Sequence, residues 1–360
     1  MKILSIIDSF KGTFTSLEVS NIVKEELEKK GAEVTCIPIS DGGEGFLEAY
    51  NYINKLPVLE VDTVDPLARP IKAKYLFDKE NDFAVIELAQ SSGITLIRHD
   101  ERNPFITSTY GLGLVIKDAI NRGAKNILIG IGGSASNDGG SGMLEALGVK
   151  FYDKDNNLIT SLCNEKLGLI HHIDRKDFQK LTSKIRFDVC SDVTNPLLGE
   201  NGATYVFAKQ KGAKECDLEL LENNMEHFSD FYEGITIQGS GAAGGVGYAF
   251  RAYFNSFFHS GIGYLLQKIH FNHLIRDYDY IVTGEGKIDK QSLNGKVISE
   301  IVNKCKSKRV LLLCAINELK ESLGTNVRIV SVVGEKFKVE DSLNDPEGCL
   351  RDTIRRLLLG

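Results

Sequence analysis

Two hydrophobic periods alternate along this chain. Short apolar runs break at clusters of glycine, serine and acid, and after each break apolar positions recur every three or four residues. Lys2 to Ile7 is the first such run and ends in Asp8-Ser-Phe-Lys-Gly-Thr13. From Ser16, the residues Val19, Ile22, Val23 and Leu27 fall at helical spacing up to a stop at Gly31. Glu33 to Pro38 reads as a second strand, ending in Ser40-Asp-Gly-Gly-Glu-Gly45, with another helix from about Phe46. Strand, loop and helix in repeated order predict a parallel α/β sheet, and such sheets bind ligands at the loops that follow their strands.

After Pro57 the pattern changes. Val58 to Asp65, Pro70 to Phe77 and Asp82 to Leu88 read as consecutive strands separated by turn residues, which predicts a more antiparallel segment. A helix over about 111–121 leads to the strand Asn126-Ile-Leu-Ile129 and directly into Gly130-Ile-Gly-Gly-Ser-Ala-Ser-Asn-Asp-Gly-Gly-Ser-Gly142. A helix should begin near Ser141, with Met143, Leu144 and Leu147 apolar and Gly148 as its stop. Ile185 to Cys190 is a strand running into Ser191-Asp-Val-Thr-Asn-Pro-Leu-Leu-Gly199, and Gly239 to Gly247 is a second small-residue loop before an apolar, aromatic helix. The early rhythm returns at Tyr278, with a strand over Asp279 to Val282, a loop over Thr283 to Asp289, and strands over Arg309 to Cys314 and Val327 to Val333. The two ends are alike in style and the middle differs. The expected fold is therefore α/β with two domains. Residues 1–59 and 278–360 form a doubly wound, Rossmann-like parallel-sheet domain, and residues 60–277 form an inserted mixed α/β domain.

Composition narrows the function classes. The chain has 360 residues, 42% hydrophobic and 26% charged, the balance of a globular protein. Lys and Arg total 43 against 49 Asp and Glu, and the net charge of −6 offers no global basic field for nucleic acid or an acidic membrane. The seven cysteines are scattered and form no C-x-x-C pair, which argues for buried, reduced thiols over a disulfide framework or a zinc site. Ile3 to Ile7 is cut short by Asp8, unlike a signal peptide, and no apolar run approaches the roughly 20 residues that span a bilayer. A cytoplasmic protein is expected, with a small-molecule partner, no nucleic acid and no membrane; the oligomeric state stays open.

The glycine-rich loops match neither the P-loop G-x-x-x-x-G-K-[ST] nor the dinucleotide fingerprint, which weakens a dehydrogenase reading. Glycines after strands also serve tight turns and close packing without any ligand. What lifts these loops above that reading is charge. Acids stand among small residues in five places: Asp8 near Lys11; Asp41 with Glu44; Asp138; Asp192; and Glu285 with Asp289 near Lys287. Backbone amides cradle phosphate oxygens, carboxylates hold Mg²⁺ with its waters, and lysines offset the charge of a transferring phosphoryl group. The Gly130–Gly142 loop itself carries Asp138 and no lysine, so its cation has to come from elsewhere in the chain. The histidines form no ligand pattern, and Ser134 and Ser136 lack the G-x-S-x-G elbow of a serine nucleophile.

Taken together, Asp8-Ser-Phe-Lys-Gly12, Asp41-Gly-Gly-Glu-Gly45, Gly132-Gly-Ser-Ala-Ser-Asn-Asp-Gly-Gly140, Ser191-Asp-Val-Thr-Asn-Pro-Leu197, Gly241-Ala-Ala-Gly-Gly245 and Thr283-Gly-Glu-Gly-Lys-Ile-Asp289 resemble the bacterial glycerate kinase family, type 1. Arg102-Asn-Pro104, Thr109-Tyr-Gly111, Gln210-Lys-Gly-Ala213 and Gln291-Ser-Leu-Asn-Gly-Lys296 add to the ordered set, which covers nearly the whole chain. The resemblance implies transfer of the γ-phosphoryl group of ATP, with Mg²⁺, to D-glycerate, the 2-hydroxyl being the expected acceptor, in a cleft between two α/β domains. Two alternatives stand beside it: a kinase for a related small hydroxy-acid, and a non-catalytic nucleotide or phosphometabolite sensor, which has no need for so many acids. On the kinase reading Asp192 orients or deprotonates the attacking hydroxyl, with Asp41 and Asp138 as rivals, and Lys11 steadies the transferred phosphate or the substrate carboxylate. Asp8, Glu285 and Asp289, with Asp41, are the candidates for Mg²⁺. Gly132, Gly133, Ser134, Ser136, Gly241, Gly244, Gly245 and Lys287 are the candidates for nucleotide binding. The chain departs from the family pattern at Ala208-Lys209, at Ser260-Gly-Ile-Gly263 and at Cys314-Ala-Ile-Asn317, the last near the expected nucleotide pocket.

Overall fold

The computed structural model describes residues 1–232, 237–293, 297–334 and 336–357. Its strands, in chain order, are β1 (Lys2–Ser5), β2 (Glu33–Cys36), β3 (Val58–Val64), β4 (Pro70–Asp78), β5 (Phe83–Glu87), β6 (Asn126–Gly130) and the short β7 (Lys150–Tyr152), β8 (Leu158–Ile159) and β9 (His172–Asp174). They continue with β10 (Arg186–Cys190), β11 (Ser256–His259), β12 (Tyr280–Ile288), β13 (Arg309–Asn317) and β14 (Val327–Ser331). The chain divides into two compact units, Met1–Asp41 with Glu48–Lys55 and Ser260–Gly360, and Gly42–Leu47 with Leu56–His259. Residues 260–277 thus group with the chain termini. There Ser260 caps the helix Gly261–Lys268, its side chain accepting from the Gly263 amide, at one of the positions that depart from the family pattern.

The sheet of the first unit runs β14-β13-β12-β1-β2 and is parallel throughout. Both of its faces are covered, and this is why Val310-Leu-Leu-Leu-Cys314 is apolar without alternation. Ile3, Val282, Leu311 and Leu313 pack with Val19, Val23 and Leu27 of helix α1 (Ser16–Glu28) and with Leu350 and Ile354 of the helix Pro346–Arg355. Helix α1 starts where the sequence places it because Thr15 and Glu18 close a capping box. The chain order reverses between β1 and β12, which marks the switch point where such sheets bind ligands.

One expectation is corrected here. Thr283 to Ile288 is not a loop: β12 continues to Ile288, paired with β13 as far as Asn317. Gly284 resembles a turn glycine, yet a Cβ there would lie 1.8 Å from the Leu313 carbonyl oxygen, so the residue serves close strand packing. The departure at Cys314 to Asn317 is the other half of this extension, with Cys314 fully buried.

The second unit carries a mixed sheet in the order β11-β10-β6-β5-β4-β3. β3, β4 and β5 pair antiparallel, as the turn-rich pattern predicts, while β5, β6, β10 and β11 are parallel. Ile127, Ile129, Phe187 and Val189 join Leu112, Val115 and Ile116 of the helix Tyr110–Asn121 and Tyr248 and Phe250 of the helix Val246–Tyr253 in one core. A small antiparallel sheet, β8-β7-β9, adds Phe151 to it. Six of the seven cysteines are buried and Cys216 is exposed. Among the described residues no helix is long and apolar enough to cross a membrane.

Candidate active site

The first unit gathers charge at its switch point. Past β1 the chain stays laced to β12, the Ile6 amide donating to Val282 and the Asp8 amide to Gly284. Phe10 and Phe14 then exchange backbone hydrogen bonds across a tight turn that carries Lys11. The Lys11 ammonium lies 3.3 Å from Asp41 Oδ2, and their side chains keep 64% and 21% of their area in solvent. Asp8 is only 3% exposed. Burial drives its carboxyl well above the usual range, the charges of Asp41 and Glu285 add to this, and Lys11 opposes them. The Lys11 ammonium is raised in turn, first by Asp41 and then by Asp8 and Glu285, against the effect of burial.

Asp8, Asp41 and Glu285 therefore surround one lysine with more negative charge than it neutralises. Asp289 does not belong with them in the way the sequence suggests. It lies just past the end of β12, beyond three strand residues that carry the chain roughly 10 Å from Glu285 at about 3.3 Å per residue. Instead the Asp289 amide donates to Ser292 Oγ, and the Ser292 amide donates back to Asp289 Oδ1. Lys287 is exposed and pairs at 2.9 Å with Glu318. Among the described residues no three His, Cys, Asp or Glu side chains converge as a ready metal cage. Residues 294–296 of the expected Gln291–Lys296 match lie outside the described residues.

In the second unit the loop after β6 answers why its backbone is bare. A Cβ on Gly132 would lie 2.5 Å from Gly43 Cα, and the Gly132 amide donates to the Gly42 carbonyl. The thing approached is a segment of the same chain. Beyond it, the loop is tied to the residues after β5, the Ala135 amide donating to Ser92 and the Ile94 amide to Gly133. At the end of β5, Glu87 is 3% exposed and accepts from the Gly45 and Leu47 amides at the start of helix α2 (Phe46–Asn54). Burial raises its carboxyl to about 7.

Asp138, a rival for the base, is held inside the loop. It is wholly buried and accepts from the Thr109 amide at 2.8 Å, Thr109 Oγ1 at 2.7 Å, Ser136 Oγ at 3.1 Å, and the Gly140 and Gly142 amides at 3.2 and 3.3 Å. Its oxygens are committed to shaping the turn and starting the helix Ser141–Ala146. The two small-residue loops pack on each other, the Gly139 amide donating to the Gly244 carbonyl. Gly241 and Ala242 donate to Asn195 and Gly239, so these amides, like that of Gly132, already have partners inside the protein. Among the described residues the amides of Gly133, Ser134 and Ser136 donate to no protein group. Gly245 opens the helix Val246–Tyr253 with φ 93°.

The missing cation is Lys211, from the stretch Gln210-Lys-Gly-Ala213. It is 3% exposed and donates to Ser134 Oγ at 2.8 Å and to the Ser136 carbonyl at 2.5 Å. Burial lowers it to about 7, with Asp138 pulling the other way. Nothing in the sequence separates it from Lys209 two residues earlier, which departs from the family pattern and pairs with Glu215 at the surface. Asp192 is half-buried just past β10, and the turn it opens is held by the Gly239 amide donating to Thr194 and by Asn195 Nδ2 donating to Asn201.

A model of the glycerate kinase family matches residues 3–359. The chain is 36% identical over 315 residues to a glycerate kinase of Bacillus subtilis, covering 85% of this chain and 82% of that protein. It is 33% identical over 332 residues to glycerate 2-kinase of Escherichia coli, covering 90% and 87%. A crystal structure assigned as glycerate kinase 2 of Salmonella typhimurium superposes with a TM-score of 0.77 at 32% identity, covering 99% of this chain and 96% of that one.

Proposed function

The chain belongs to the glycerate kinase family, and from that premise we propose that it transfers the γ-phosphoryl group of ATP to the 2-hydroxyl of D-glycerate. The observation that carries this reading is the lysine ringed by Asp8, Asp41 and Glu285 at the switch point of a parallel sheet. A surplus of carboxylate that pushes Asp8 toward its protonated form is what a divalent cation relieves, and Mg²⁺ typically takes one or two carboxylates and completes its shell with water and phosphate oxygens. Asp8 and Glu285 would hold it, and when bound it neutralises phosphate charge. Lys11, exposed and fully charged, steadies the moving phosphoryl group or the substrate carboxylate, and Asp41 holds the ammonium in place. Asp192, half-buried at the end of a parallel strand, orients the attacking hydroxyl and takes its proton. The loop amides of Gly133, Ser134 and Ser136 receive anionic oxygen.

Purified protein with D-glycerate, ATP and Mg²⁺ should release ADP, and phosphorus NMR should place the phosphate on C2. Oxidation of glycerate with NAD(P) and no ATP consumption with any small hydroxy-acid would overturn the reading.

A further inference from the structure

Lys211 has a geometry that packing alone does not require. A buried lysine is ordinarily disfavoured, and this one is taken into the interior without a carboxylate bonded to it. Its Nζ sits where both glycine-rich loops meet: it bonds Ser134 Oγ and the Ser136 carbonyl of one, and a Cβ on Gly244 of the other would lie 2.9 Å away. The charged groups around it are few. Asp138, on the same loop as Ser134, favours its proton. Arg102 reaches the same turn but donates to the Gln210 carbonyl, and Lys209 is engaged with Glu215.

We propose that Lys211 is a positioning residue for an oxyanion held by the loop after β6, and that it acts through Ser134. The oxyanion is either a phosphoryl group of a nucleotide or the carboxylate of a hydroxy-acid; the inference rests on the kinase reading above. The chemistry follows from hydrogen-bond roles. Ser134 Oγ accepts from the lysine, so its single proton must be donated elsewhere, and Ser134 remains 6% exposed beside the unpartnered amides of Gly133, Ser134 and Ser136. The hydroxyl is thereby set as an outward donor. A bound oxyanion also supplies the negative charge that the buried ammonium lacks, so ligand and proton bind together. In the empty protein the lysine loses its proton as pH rises through about 7, and affinity then falls until the higher value of the complex is reached.

The test is calorimetric titration of the full-length protein with ADP and, separately, with D-glycerate, in buffers of different ionisation enthalpy at pH 7 and pH 8.5. Wild type should take up a fraction of a proton on binding at pH 7 and bind more weakly at pH 8.5, by up to about tenfold per pH unit. The ligand that shows the linkage identifies the oxyanion. Lys211→Met, which keeps the apolar stem, should abolish the proton uptake and weaken that ligand about ten- to a hundredfold. Ser134→Ala should weaken it while leaving Lys211 in place, and serves if Lys211→Met does not fold. Binding of both ligands without proton uptake in wild type, or Lys211→Met with wild-type affinity, overturns the assignment of Lys211 alone. Wild type that binds neither ligand and turns over nothing overturns this inference and the kinase reading together.

Discussion

Replacing Asp138 by asparagine tests whether the one carboxylate of the glycine-rich loop is structural or chemical. One oxygen of the carboxylate serves the Thr109 amide, Thr109 Oγ1 and the Gly142 amide; the other serves Ser136 Oγ and the Gly140 amide. If the asparagine oxygen takes the first position, its NH₂ faces Ser136, whose hydroxyl can turn to accept, and the Gly140 amide, which cannot. One buried donor is stranded and meets another donor, a cost of about 1–3 kcal/mol. Alanine strands all three amide donors, while both hydroxyls can turn elsewhere, and a larger loss of about 3 kcal/mol or more is expected. For a domain of this size the asparagine change corresponds to a fall in melting temperature of roughly 3–10 °C. Thermal unfolding by calorimetry reads this directly, and turnover measured well below the melting point reads the chemistry. The structural account requires stability to fall in both variants, with activity at low temperature falling only as far as the loop is displaced. An asparagine variant that melts with the wild type while its turnover collapses would refute it and return Asp138 to the mechanism.

Other changes separate roles just as sharply. Gly244→Ala forces a side chain onto φ 66° with its Cβ 2.1 Å from the Ser136 carbonyl oxygen, whereas Gly12→Ala, at φ 80° with nothing within 4 Å, meets only the backbone penalty of about 1 kcal/mol; melting should fall at least twice as far for the first as for the second. Glu87 has a raised folded pKa of about 7 against an ordinary value near 4.3, so its burial weakens the fold progressively from about pH 4.3 to 7 and by a constant amount above that. Glu87→Gln should therefore gain stability relative to wild type as pH rises from 4 to 8, by on the order of 3–4 kcal/mol, and a pH-independent difference in unfolding free energy would contradict the burial argument. Lys11→Ala removes a side chain that is largely in solvent, so the melting temperature should barely move while kcat falls by about a hundredfold or more, and near-normal kinetics would make it a surface lysine. Asp192→Asn keeps the shape and capping ability of the side chain, so ATP should still bind in calorimetry while turnover collapses; wild-type turnover would move the search for the base to Asp41.

The repeat of apolar runs and helical spacings carried the parallel sheet of the first unit, because a strand covered on both faces, such as Val310 to Cys314, needs an unbroken apolar run and little else does. The antiparallel β3 and β4 were legible for the complementary reason, turn residues at short intervals. Sequence misled where glycine has two uses. The pattern around Gly284 and Gly286 predicts a loop, but Gly284 lies inside β12, and its neighbour Leu313, 29 residues away in sequence, explains why it has no side chain. The acids show the same limit. Asp8, Asp41 and Glu285 come together because β1, β2 and β12 are adjacent or near in one sheet, whereas Asp289, close in sequence to Glu285, stands past the far end of β12.

The lysine of the second unit shows why a loop of this kind has no cation of its own. The bends of Gly130 to Gly142 bring its backbone against Gly43, Phe228 and Ala249, and Gly132, Gly139 and Gly140 would each put a Cβ within 2.8 Å of such a neighbour. A long charged side chain grown from those positions would have to displace the protein's own backbone or core. The cation is instead delivered from a separate turn, at the end of a stem that is already buried, and it is held by two acceptors that the loop itself provides. That arrangement sets the ammonium at the cost of its hydration, which is why its proton affinity falls to the edge of neutrality and why an anion nearby would restore it. In a P-loop the lysine and the phosphate-binding amides lie in one continuous segment, so a pattern search finds them together. Here they are separated by 77 residues and joined by the hydrogen bonds of Lys211 to Ser134 and Ser136, so the role of each half is visible once the fold has brought them into contact.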